Sequence, residues 1–68
     1  MKFKVKIKAL ETALLDNGAS YKVLQQRTRL PSRTIFKVYR GEPVVPSTCV
    51  KVADALGMHA SDLFERAD

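Results

Sequence analysis

The sequence predicts an all-α domain of five short helices, preceded by one short β-strand. Three observations carry this. Beyond Lys8, apolar residues recur at three- and four-residue spacings. The segments patterned this way are punctuated by Gly18, Gly41 and Gly57 and by Pro31, Pro43 and Pro46, residues that end helices or open them. Only residues 1–8 alternate with period two.

In that opening stretch Lys2, Lys4, Lys6 and Lys8 alternate with Phe3, Val5 and Ile7, the pattern of a half-buried strand. The period then changes. Leu10, Ala13, Leu14 and Asn17 line one side of a first helix that stops at Asn17-Gly18. Ser20 is placed to cap a second helix over about residues 21–28, where Leu24 and Thr28 stand four apart. A third is expected over 32–40, with Ile35, Val38 and Tyr39 inward and Gly41 as its stop.

The stretch "EPVVPS" reads as a loop, because Pro43 and Pro46 lack the amide hydrogens a helix interior needs. A fourth helix follows over about 47–56, with Val50, Ala53 and Leu56 inward, and ends at Gly57. A fifth, near 60–67, takes its apolar face from Leu63 and Phe64.

Sixty-eight residues make a single domain, and a chain of this size buries only about 60% of the surface its unfolded form exposes. Small cores are usually reinforced by disulfides, metals or oligomerisation. Cys49 is the only cysteine and His59 the only histidine, so neither an internal disulfide nor a metal cluster is expected. Oligomerisation is the reinforcement left. No apolar run approaches the roughly 20 residues of a membrane span, and "MKFKVKIK" lacks the features of a signal peptide. With its free cysteine, the chain is expected in the cytoplasm.

Net charge is +5, and its distribution is uneven. Residues 20–41 hold six bases (Lys22, Arg27, Arg29, Arg33, Lys37, Arg40) and no acid, whereas residues 42–68 hold two bases against five acids. A basic centre beside an acidic third suits a protein that turns one side to a polyanion. A solvated basic face would carry the same charge.

The stretch "SYKVLQQRTRLPSRTIFKVYRG", residues 20–41, resembles the helix-turn-helix of the Cro/phage-repressor (XRE-type) family. Without a gap, Leu24, Leu30, Thr34, Ile35, Val38 and Gly41 fall on that family's structural positions. Downstream, "VKVADALGMHASDLF" resembles the family's ending, so the likeness runs over about residues 9–65. It implies a lambda-repressor-like five-helix fold and a helix inserted in the major groove of double-stranded DNA.

Three residues depart from the pattern. Gln25 stands where the family prefers Ala, and a Gln there must turn outward or find a partner. Arg29 occupies the turn position usually held by Gly, at a cost of about 1 kcal/mol where φ stays positive. Pro31 replaces the Ser that caps the third helix, which leaves capping to Ser32.

The resemblance places the base-reading positions on Ser32, Arg33 and Lys37. Spacing along the third helix puts Phe36 on the same face, either against a thymine methyl or turned into the core. Arg33 has the fork that matches guanine O6 and N7. Ser20 and Tyr21, at the start of the second helix, match family positions that seat a phosphate. Lys22, Arg29 and Arg40 are further phosphate candidates by charge and location, with a solvated side chain the plain alternative for each.

Helix-turn-helix proteins generally bind as dimers. Two copies of the strand carrying Phe3, Val5 and Ile7 are one candidate junction, and Leu63 with Phe64 is a competing one. The stretch also reads as a strand folded on its own helices, a basic arm on DNA, or an extension of the first helix.

Enzyme chemistry finds no Ser/His/Asp set, zinc spacing or phosphate-cradling Gly loop, so no cofactor or small-molecule ligand is expected. His59 reads as a surface or capping residue and Cys49 as a small apolar one. The expected function is a small DNA-binding transcriptional regulator. The other class is a protein-interaction module, antitoxin-like or accessory, using its basic face on an acidic partner. RNA binding ranks below both, since stacking platforms are missing.

Overall fold

The computed structural model describes residues 1–67. The order is β1 (Phe3–Val5), α1 (Ile7–Asn17), α2 (Tyr21–Thr28), α3 (Ser32–Tyr39), α4 (Pro46–Ala55), α5 (Ala60–Leu63) and β2 (Phe64–Arg66). Five helices thus surround a core with a small antiparallel sheet at one side.

Leu24, Ile35, Val38, Val52 and Leu63 are the largest side chains wholly inside. They come from four different helices. Each such side chain contributes about 1.5–3 kcal/mol by leaving water. α2 packs on both α3 and α4, and its Leu24 is fully buried. Asn17 does more than stop α1. Its Nδ2 donates to the Ala13 carbonyl at 2.8 Å and to the Leu56 carbonyl at 3.2 Å, which ties the ends of α1 and α4 together.

The chain ends differ most from the sequence reading. The opening strand is shorter than its alternation suggests, because Ile7 and Lys8 already belong to α1. Ile7 also fits the helical stripe of Leu10 and Leu14, and the amide of Leu10 donates back to Lys6 to start the helix. The fifth helix is one turn, not two. Phe64, Glu65 and Arg66 turn extended and pair with β1 in the register Phe3↔Arg66, Lys4↔Glu65, Val5↔Phe64.

Both edges of β1 are occupied. Lys6 N–H donates to the Leu63 carbonyl and Ala67 N–H to that of Lys2, while Phe3 and Val44 exchange both of their backbone bonds at 2.9 and 2.7 Å. Val5 is 3% exposed. The strand is folded on its own domain, paired with β2 along one edge and bridged at Phe3 to Val44 on the other, so Val5 packs inside the domain instead of standing out to meet a second copy. Phe3 is half-buried, and only Ile7 remains substantially exposed. Leu63 and Phe64 are buried as well, which removes the competing junction.

In α4 the inward stripe is Thr48, Cys49, Val52, Ala53 and the following Leu56, and Val50 lies outside at 49% exposure. The polar Thr48 hid this stripe from a reading based on apolar spacing. Cys49 packs inside as expected, and burial pushes its thiol above the ordinary range.

Candidate nucleic-acid interface

The turn between α2 and α3 is built from the residues that break the usual pattern. Arg29 holds φ 60° and ψ 21°, and it is the one non-glycine residue with positive φ among those described. Its amide donates to the Gln25 carbonyl at 2.8 Å and so closes α2. Thr28 braces the same corner: its hydroxyl donates to the Leu24 carbonyl at 2.6 Å and accepts from the Leu30 amide at 3.3 Å. The strain expected at Arg29 is therefore present in the backbone.

Pro31 takes the N-cap position of α3, with φ −60° and ψ 150°, and its carbonyl accepts from the amides of Thr34 and Ile35. Ser32 does not cap. It is the first residue of the helix, and its Oγ accepts from Gln25 Nε2 at 2.8 Å. That bond is the partner Gln25 needed. Ser20 is likewise at the N-cap position of α2 without a side-chain capping bond.

A second contact joins the other ends of the two helices. The Tyr21 ring lies 5.0 Å from that of Phe36 at a 36° tilt, and 6.5 Å edge-on from that of Tyr39. Phe36 therefore sits between the two sequence readings: 40% exposed, with one side of its ring covered by Tyr21. The Tyr39 hydroxyl is buried with no hydrogen-bond partner among the described residues, and desolvation raises its pKa.

These two contacts fix which charged residues share a face. Ser20, Tyr21 and Lys22 at the mouth of α2 are brought toward the middle of α3, and Ser32 with Arg33 stands at its start. Arg33 is exposed and Lys37 half-buried. Neither these two nor Lys22 and Arg29 have a side-chain hydrogen bond or ion pair within the described residues. Two other bases of the acid-free stretch are engaged. Arg27 Nη1 donates to the Ala55 carbonyl at 3.1 Å, where it caps the last turn of α4. Arg40 pairs with Glu42, both well exposed, so this phosphate candidate already has a counter-charge beside it.

At the far end of α3, Gly41 at φ 74° lets the chain reverse. Its amide donates to Val38 and that of Glu42 to Lys37, an arrangement that satisfies carbonyls of the last turn. Among the described residues no three His, Cys, Asp or Glu cluster as a metal would require, and no helix is long and apolar enough to cross a membrane.

No protein-family model matches the chain, and no curated protein or solved structure is significantly similar to it.

Proposed function

We propose that this protein is a small sequence-specific DNA-binding regulator of the Cro/phage-repressor kind, acting in the cytoplasm as a homodimer on a pseudo-palindromic site. In this reading the domain is lambda-repressor-like, and α3 enters the major groove with Ser32, Arg33 and Lys37 toward base edges. Phe36 offers its exposed edge to a thymine methyl. Ser20, Tyr21, Lys22 and Arg29 bind phosphates, and Arg40 joins them by exchanging Glu42 for the backbone.

One observation carries the proposal. Arg33 and Lys37 lie one helical turn apart on a helix whose opposite side, Ile35 and Val38, is fully buried, and neither has a charged partner among the described residues. Unpaired cations held on a rigid helix, in a stretch with no acid, suit a polyanion whose groove is about as wide as that helix. The two-fold state is proposed from the geometry such readers generally use. With β1, Leu63 and Phe64 engaged inside the domain, the exposed apolar side chains open to a second copy include Ile7, Leu15, Val45 and Val50.

A second reading is a protein-interaction module on the same fold, with the basic face on an acidic partner. The partly exposed Phe36, packed at a tilt against Tyr21, favours it, since aromatic residues are enriched at protein interfaces. Selection of bound sequences from a random DNA pool, followed by salt titration of the enriched sequence, separates the two. The regulator gives a pseudo-palindromic winner with a steep salt slope. Absence of enrichment favours the interaction module. Arg33→Ala is expected to cost about 1–3 kcal/mol on the enriched site and relax one base position. Equal loss on random DNA would overturn the assignment of Arg33 as a reader.

A further inference from the structure

The Gln25–Ser32 bond gives Ser32 a chemical polarity. A serine hydroxyl has one hydrogen to donate and two lone pairs to accept with. Gln25 Nε2 takes one lone pair at 2.8 Å, and the hydroxyl hydrogen is donated to nothing among the described residues. Ser32 is exposed at the first position of α3, one residue past the N-cap that Pro31 occupies, so its hydroxyl makes no capping bond. Gln25 itself is half-buried on α2, and its amide reaches across, through an exposed hydrogen bond, to a side chain on the next helix.

We propose that Gln25 is a positioning residue that sets base specificity by holding the Ser32 hydroxyl as an outward hydrogen-bond donor. The inference rests on the DNA-binding reading above. An outward donor matches the major-groove acceptors, guanine O6 and N7 or thymine O4, fits adenine less well because its N7 stands beside an amino group, and is opposed by the amino group of cytosine. A single neutral hydrogen bond of this kind gives about a fivefold preference at one position. The residue that chooses the base is then not on the reading helix at all.

The test is random-pool selection with the full chain and three variants, Ser32→Ala, Gln25→Ala and Gln25→Glu, each first checked for cooperative melting. Wild type is expected to enrich guanine or thymine about fivefold at one position. Ser32→Ala loses the preference there and keeps it elsewhere. Gln25→Ala weakens it at that same position. Gln25→Glu reverses it toward the amino-bearing bases, cytosine or adenine, because a carboxylate accepts the serine hydrogen and leaves lone pairs facing out. A merely structural role for Gln25 would lower affinity uniformly without moving one base. Position profiles of both Gln25 variants identical to wild type would overturn the inference and leave the DNA reading standing. No enrichment by wild type would overturn both. Gln25→Ala carries the test alone where the charged variant does not fold, since Ala is a strong helix former.

Discussion

Arg27 on α2 donates from its Nη1 to the carbonyl oxygen of Ala55, the last residue of α4, at 3.1 Å. A cation at a helix C-terminus meets both an unsatisfied carbonyl and the negative end of the helix dipole. One of the six bases in the acid-free stretch is thus a joint between two helices. Arg27→Ala is expected to lower stability by about 1 kcal/mol, read from the urea midpoint, while the salt slope of DNA binding stays as it was. A lower salt slope in this variant would return Arg27 to the phosphate contacts.

Arg29 gives the opposite expectation. Its left-handed backbone is costly for any residue with a Cβ, and glycine removes that cost. Arg29→Gly should raise stability by up to about 1 kcal/mol, and Arg29→Ala should not. If the side chain binds a phosphate, both variants shed about one unit of the salt slope. The two measurements separate the backbone role of Arg29 from its charge.

Val5 tests how the opening strand is used. Buried between β2 and the core, it should cost about 1–3 kcal/mol of stability as Val5→Ala, at every protein concentration. Removal of residues 1–5 should abolish cooperative melting, because β2 then has no partner. A strand that served only to join two copies would leave the stability of the single domain untouched, and sedimentation run beside the melts reports any change in association.

The alkaline limb of the stability curve follows from two buried groups. Burial raises the pKa of both the Cys49 thiol and the Tyr39 phenol in the folded state. The unfolded chain therefore releases these protons first as pH rises, and the proton excess of the folded form makes stability fall with pH there. The share of stability that these two groups carry should be level below the ordinary thiol range and decline above it. Cys49→Ala should flatten the first part of the decline. Tyr39→Phe should flatten the later part and, by deleting a buried hydroxyl with no partner, leave neutral-pH stability unchanged or up by about 1 kcal/mol. A pH profile identical in all three proteins would show that neither group is held neutral by the fold.

Much of this architecture was legible because it is local. Gly18, Gly41 and Gly57 end their helices at positive φ, and Pro31 and Pro46 stand at the start of theirs, since backbone freedom and a missing amide act within a few residues. Helical spacing alone placed Leu24, Ile35 and Val38 inside, and hence Arg33 outside. The positive φ at Arg29 was open to expectation only through the resemblance, which puts a Gly at that turn position.

What the tertiary structure decided is where partners distant in the chain meet. Phe64, Glu65 and Arg66 continue a helical pattern on their own. They become a strand because β1 offers an edge whose backbone groups must otherwise stay unpaired. Val50 yielded the inside of α4 to Cys49 and Val52 because the neighbouring helices, not the spacing of apolar letters, set that helix's rotation. Arg27 and Arg33 are the same residue type in the same acid-free run. Only the position of α4 turned one into a cap and left the other free, and only the approach of α2 to α3 gave the Ser32 hydroxyl its partner in Gln25.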